Sequence, residues 1–410
     1  MTRTSRGART RRRRSFVVVI GVTTVALVVL FRPGGHAPSV NADGPDPSVE
    51  PTTAATPPAD SGGVDAWLAW VPGGFPASFR TRIARADGLS TTVMVAGDTL
   101  WMTASHDAGG SIVDRPTSPY AIPIDAFAVD PTSYAPFLPA SDRARVVAAL
   151  GAGKAVLGQR SADLRRLGPG GTMSFGPSTV EVGAVVPDDE VGWSEFLVNR
   201  DVGERLGIAD DRYLLAFGDP GLTLSRFSSD VRALLPADTP LRTVRPGGTR
   251  FVRVASGVDP PIVMKEVFGE FDAYPQSADP AYLTMDRSWY DAHISTRPVP
   301  LLGDVTCNDA LFPMLVGALQ QVQAAGLGSE LHVYSGCYAP RTVARSTTAP
   351  PSQHAYGAAI DINAPENPYG GTPTMDPRIV KIFEHWGFDW GGDFLIPDGM
   401  HFEYGVAPGG

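Results

Sequence analysis

Residues 352–361 read Ser-Gln-His-Ala-Tyr-Gly-Ala-Ala-Ile-Asp, and residues 398–404 read Asp-Gly-Met-His-Phe-Glu-Tyr. The first stretch carries His354 and Asp361, seven positions apart. On one helix that spacing is two turns, too far for both side chains to hold one ion. Gly357 between them permits a turn. The run Ala358-Ala359-Ile360 then reads as a strand entering a core. A loop-then-strand path brings both side chains to one point. His401 lies 40 residues beyond Asp361 and completes a set of two histidines and one carboxylate. Such a set suits catalytic zinc, which keeps its fourth position for water and lowers the pKa of that water toward about 7. Asp398, three residues before His401, is placed to take that proton. A buried acid after Ala-Ala-Ile needs a partner to offset its desolvation, which favours Asp361 as a ligand.

Around this pair the pattern predicts a helix over about 308–325, with Leu311, Leu315, Leu319 and Val322 on one face and Gly326 as its stop. A strand follows at 331–336. Glu403 offers a further carboxylate ligand, but it points to the opposite face from Phe402 and reads rather as a group holding a histidine ring. Ser352 reads as a cap or as a hydroxyl close to the metal. Glu384 and His385 share a helix with Ile379, Ile382 and Phe383 and read as surface residues. His332 reads as structural, and Trp386 and Trp390 as core or cleft wall.

These residues resemble a known family. The stretch SQHAYGAAID is similar to the SxHxxGxAxD motif of the M15 zinc peptidases, the D-alanyl-D-alanine carboxypeptidase family. DGMHFEY resembles their closing acid-x-x-His motif, and GFDWGGDF (387–394) resembles their Trp-Gly-Gly-Asp approach. The likeness covers residues 285–410 and implies a C-terminal domain of the zinc DD-peptidase/hedgehog-type fold. It implies that His354, Asp361 and His401 hold Zn2+ and that Asp398 is the general base and proton shuttle. It also implies that Arg341, in CYAPR, contacts the substrate or its transition state. The family's usual SGYR context is SGCYAPR here, and Arg345 is the alternative if the loop runs differently. The implied substrate is a peptidoglycan stem peptide, cut at a D-Ala–D-Ala end or within the stem.

The rest of the 410-residue chain sets the compartment. The first 14 residues carry seven Arg and no acid. Residues 15–31, SFVVVIGVTTVALVVLF, are uncharged and reach roughly 25 Å as a helix, near the lower limit for a membrane span. The positive-inside rule puts residues 1–14 in the cytoplasm and exports the chain beyond residue 31. Residues 15–31 read as an uncleaved signal-anchor, with a cleaved signal peptide as the other reading. Residues 32–63 hold seven Pro among Gly, Ser and Thr and read as a tether. Export makes Cys307 and Cys337, the chain's two cysteines, a natural disulfide. That bond would pin the start of the 308–325 helix to the end of the 331–336 strand. Beyond residue 14 the chain holds 27 basic against 43 acidic residues, a net of −16, which argues against nucleic-acid partners.

Residues 64–284 read as a β-rich α+β extracytoplasmic domain with no metal cluster or nucleophile motif. Strand expectations fall on both sides of Gly97-Asp98 within 91–104, on a hairpin around Gly176-Pro177, on 212–218 and on 251–256. A helix over 141–153 takes Ser141 as its cap. His106 and Asp107 read as an ordinary surface pair. The stretch VLGQRSADLRRLGPGGTMSFG (156–176) is faintly similar to extracytoplasmic domains of ABC-transporter permeases. The chain as a whole thus reads as α+β: one N-terminal transmembrane helix, a linker, a β-rich domain and a peptidase-like domain. The leading function is a membrane-anchored zinc metallopeptidase. The alternatives are a wall-binding or sensing protein whose zinc site no longer cleaves, and a transporter accessory.

Overall fold

Alternating apolar runs in residues 67–218 supply most of the strands of one large sheet. In a computed structural model of the chain, residues 66–246, 259–346 and 349–405 are described. The sheet contains β1 (Trp67–Trp70), β2 (Leu89–Met102), β3 (Ala104–His106), β4 (Ile112–Asp114), β5 (Ile122–Val129) and β6 (Ala155–Gly158). It continues with β7 (Thr172–Phe175), β8 (Ser178–Val186), β9 (Phe196–Asn199), β10 (Asp211–Gly218) and β11 (Arg242–Val244). Their order is β11-β1-β10-β2-β5-β9-β6-β8-β7-β3-β4. The β5–β9 and β6–β8 pairs are parallel and the others antiparallel. Every residue of β5 is buried, as expected of a central strand covered on both faces.

Two expectations in this region change. Residues 91–104 do not turn at Gly97-Asp98, because β2 runs straight through them. Gly97 lies opposite Phe127 of β5, and a Cβ there would come within 2.9 Å of the Phe127 ring. The glycine marks a ring packed against backbone. The helix runs from Ala140 to Gly151 behind Pro139, and Ser141 sits in its first turn, donating its hydroxyl to Asp142. The hairpin at Gly176-Pro177 and the strand over 212–218 form as expected. Asp107 accepts from the amides of Gly109 and Ser111 and organises a turn beside His106. The expected strand over 251–256, the basic tail, the apolar segment 15–31 and the linker lie outside the described residues. Among the described residues no helix is long and apolar enough to cross a membrane.

The later part of the chain opens with the helix Pro261–Phe268 and the hairpin β12 (Ala273–Pro275)/β13 (Leu283–Met285). A second hairpin pairs β14 (Ile294–Val299) with β15 (Gly303–Asn308). The helix Phe312–Ala324 follows, starting four residues later than its sequence pattern suggests because Asn308 still belongs to β15. Leu311, Leu315, Leu319 and Val322 are all fully buried along it. Four short strands complete this part: β16 (Tyr334–Gly336), β17 (Ala359–Ile362), β18 (Phe388–Trp390) and β19 (His401–Tyr404). They form an antiparallel sheet in the order β16-β17-β19-β18. Ile360, Ile362, Phe402 and Tyr404 fill its inner face. A disulfide joins Cys307 at the end of β15 to Cys337 just past β16, with Cα atoms 5.5 Å apart. The whole is a mixed α+β fold.

Candidate metal centre

The motif around His354 is a single helical turn with a defined start and stop. Ser352 accepts from the His354 amide, which makes it the cap of the turn Gln353–Tyr356. Gly357 ends the turn at φ 66°, and a Cβ there would lie 2.6 Å from the Asn308 backbone nitrogen. Only glycine meets both demands. The chain then enters β17, whose Asp361 lies directly opposite His401 of β19. Opposed residues of an antiparallel pair share a face, so sheet register brings this acid and this histidine together.

Three donor atoms converge. His401 Nδ1 is 3.1 Å from Asp361 Oδ1, His354 Nε2 is 3.3 Å from that oxygen, and the two ring nitrogens are 3.2 Å apart. Ligands about 2.0–2.1 Å from a tetrahedral zinc stand about 3.3 Å from one another, so the three edges fit such an ion. The outer nitrogens are also held. His354 Nδ1 donates to the Cys337 carbonyl at 2.7 Å, and His401 Nε2 donates to Glu403 at 2.8 Å. Both protons are thus fixed on the outside, and both inner lone pairs turn toward Asp361. His354 and His401 are 2% and 7% exposed, so water does not serve these lone pairs. The donor set, its spacing and its outer hydrogen bonds all fit a zinc ion.

Without a cation, protons take over part of this task. Burial works against charge on His401, yet hydrogen bonds to Asp361 and Glu403 outweigh it and lift its pKa to about 10. Burial likewise works against charge on Asp361, and the hydrogen bonds from both histidines hold its carboxyl well below the usual range.

Asp398 approaches from the loop before β19. Its amide donates to Gly391 O at 2.7 Å, and its carbonyl accepts from the His401 amide at 3.0 Å. Its Oδ1 is buried and has no hydrogen-bond partner among the described residues. Burial raises its pKa, and the Asp361 charge adds to the rise against the pull of His401, His354 and Arg341. Arg341 is half-buried; burial lowers its pKa while the charges of Asp361 and Asp398 act in the other direction, so both carboxylates lie within its electrostatic reach. It makes no ion pair among the described residues, and its guanidinium donates only to the neighbouring Thr342 carbonyl, at 3.5 Å. Arg345 is exposed.

Residues read as structural stay clear of the centre. Glu384 and His385 are exposed on the helix Pro377–His385. His332 lies outside β16 and pairs with Glu366 at the surface. Trp386 lies against Gly317 and donates to Gln321. Sequence reasoning misses two features of the surroundings. The Cys337 carbonyl is a backbone atom and leaves no mark in the sequence. Tyr369, half exposed, has its pKa raised by partial burial and then by the charge of Asp398, and Asn-Pro-Tyr-Gly reads only as a loop.

Residues 345–404 match the model of the D-alanyl-D-alanine carboxypeptidase family. The match spans all four residues of the centre, His354, Asp361, Asp398 and His401, and leaves Arg341 just outside. It supports an M15-type peptidase region at the C-terminus. No curated protein matches the chain. Among solved structures, it is similar to the periplasmic region of MacB from Actinobacillus actinomycetemcomitans, at 10% identity over 45% of this chain and 89% of that one, with a TM-score of 0.31. The extracellular domain of the noncanonic ABC-type transporter YknZ from Gram-positive bacteria matches at 13% identity over 44% of this chain and 100% of that one, with a TM-score of 0.29. A permease-protein domain from Porphyromonas gingivalis matches at 12% identity over 44% of this chain and 87% of that one, with a TM-score of 0.27.

Proposed function

We propose that this chain is a zinc metallopeptidase that hydrolyses peptide bonds in peptidoglycan stem peptides. The observation that carries the reading is the convergence of His354 Nε2, Asp361 Oδ1 and His401 Nδ1, with Asp398 Oδ1 buried and without a partner among the described residues, within the segment that matches the family model. Zinc bound there would polarise the scissile carbonyl. Asp398, its pKa raised by burial, takes a proton from the attacking water and passes it to the leaving amine. Arg341, a half-buried guanidinium with no acidic partner among the described residues, holds a substrate carboxylate or the developing oxyanion. The arginine-rich residues 1–14 and the apolar segment 15–31, read as a signal-anchor, support a catalytic part outside the membrane, with residues 32–63 read as its tether. The disulfide supports the same compartment.

The test is a mass-spectrometric digest of defined muropeptides by the zinc-loaded full chain, with and without chelator. Chelator-sensitive loss of a terminal D-Ala identifies a carboxypeptidase, and a cut after L-Ala identifies an endopeptidase. Zinc-loaded protein that yields no product overturns the reading.

A further inference from the structure

Asp398 Oδ1 has no hydrogen-bond partner among the described residues, so the loop that carries the side chain decides where it sits. That loop is fixed on two sides. On one, Trp390 Nε1 donates to Gly399 O at 3.0 Å, and the Asp398 amide donates to Gly391 O at 2.7 Å. The approach is close: a Cβ on Gly391 would lie 2.6 Å from Asp398 O and 3.0 Å from the His401 Cβ. The Trp390 ring folds over Gly392, where a Cβ would come within 2.2 Å of it. The backbone of Trp390 is itself set by pairing with Phe402 in the β18–β19 register. On the other side, Gly370 donates to Pro397 O at 2.7 Å, and Asn367 and Pro373 lie 3.0 Å from where a Gly399 Cβ would be.

We propose that Trp390 is a positioning residue that draws the 397–400 loop onto the Gly391-Gly392 turn and so sets the reach of Asp398 into the metal centre. The inference rests on the peptidase reading in taking Asp398 as the group that moves the proton. An aspartate has one methylene less than a glutamate, so its backbone must stand closer to the water it serves. The contacts that bring it close are the two glycines, which remove side-chain bulk, and the indole N–H, which holds the Gly399 carbonyl. Indole nitrogen is a donor only and phenylalanine has no substitute for it. A misplacement of about 1 Å at a reacting group costs about 100-fold in rate.

The test uses the zinc-loaded full chain and three variants: Trp390→Phe, Asp398→Asn, and Trp390→Phe combined with Asp398→Glu. Three quantities are read: zinc content, kcat and KM on a cleaved muropeptide, and the affinity for acetohydroxamate by calorimetry. Acetohydroxamate is a small zinc-binding probe whose hydroxyl needs an acceptor carboxylate beside the metal. Trp390→Phe is expected to keep zinc and KM, to lower kcat by about 10- to 100-fold, and to weaken acetohydroxamate by about 5-fold, as Asp398→Asn does. Adding Asp398→Glu is expected to restore part of the kcat, because the longer acid spans the gap left by a relaxed loop. Unchanged kcat and acetohydroxamate affinity in Trp390→Phe would overturn the proposal. So would a loss of zinc in parallel with activity, which would make the tryptophan a general support. If the unsubstituted chain cleaves no muropeptide, the peptidase reading falls, while the acetohydroxamate comparison still decides the placement of Asp398.

Discussion

At the residue scale, each ring of the centre has one nitrogen facing inward and one held from outside. The holders differ in kind, a backbone carbonyl for His354 and a carboxylate for His401. Glu403 also adds negative charge behind its ring, making the inner nitrogen a better donor. Glu403→Ala should therefore weaken zinc binding by about 10- to 100-fold while leaving the folded state intact. Chelator competition followed by circular dichroism would check both parts, and equal zinc affinity would remove Glu403 from the centre. Asp398→Asn makes the opposite separation. It should retain full zinc occupancy and lose turnover, since an amide does not take up the proton. Retained turnover would assign the base to another group.

At the scale of elements, the centre is built by a capped turn and two strands. The turn was legible because all its determinants are local. Ser352 caps, Gly357 takes the left-handed position, and Ala358-Ala359-Ile360 commits the chain to the core. Gly357→Ala meets both an unfavourable φ and the Asn308 backbone, so it should cost more than the about 1–2 kcal/mol of the left-handed conformation alone. Reduced zinc content and a lower melting temperature are the expected readouts. The disulfide belongs to the same scale. It closes a 30-residue separation, worth about 3–4 kcal/mol by loop entropy, and it anchors the residue whose carbonyl holds His354. Replacing both cysteines by serine should lower stability and zinc affinity together. What the sequence left hidden at this scale is long-range contact. Nothing in residues 91–104 announces the Phe127 ring that places Gly97 inside a continuous strand. Likewise, no local pattern links Trp390 to Gly399.

At the scale of the whole described body, buried charge ties distant segments together. Glu195, beside β9, accepts from Arg165 and from Lys265 at 2.7 Å each, and Glu270 pairs with both cations. Arg165, Glu195 and Lys265 are essentially without solvent access. Lys265 lies on the helix Pro261–Phe268, whose Ile262, Val263, Met264 and Phe268 enter the same core as Leu315, Ile360 and Phe402. Removing one partner from such a buried network costs about 3–5 kcal/mol, so Glu195→Gln should destabilise the chain strongly without touching the metal residues.

A second set of carboxyls controls the response to pH. Burial, reinforced by neighbouring acids, pushes Asp272 up to about 6 and Glu190 up to about 8; burial also takes Asp188 to about 6 against the pull of Arg160. A carboxyl whose folded pKa exceeds its unfolded value stabilises the fold fully below the unfolded value, and that contribution is lost as pH rises through the folded one. For these three groups the window runs from about pH 4 to about pH 8. In the zinc-free chain His401, raised to about 10, acts with the same sign. Glu270 has the opposite sign. Burial opposes its charge, but Lys265 and Arg165 hold it down at about 2, so its contribution is present above its unfolded value of 4.5 and is lost below it. Chelator-treated protein should therefore melt at a higher temperature at pH 5.5 than at pH 8, and the gain should reverse below about pH 4.5. Glu190→Gln, which stays neutral throughout, should flatten the alkaline side of that curve. A melting temperature that falls steadily from pH 8 to pH 5.5 would mean that these carboxyls are ionised in the folded chain.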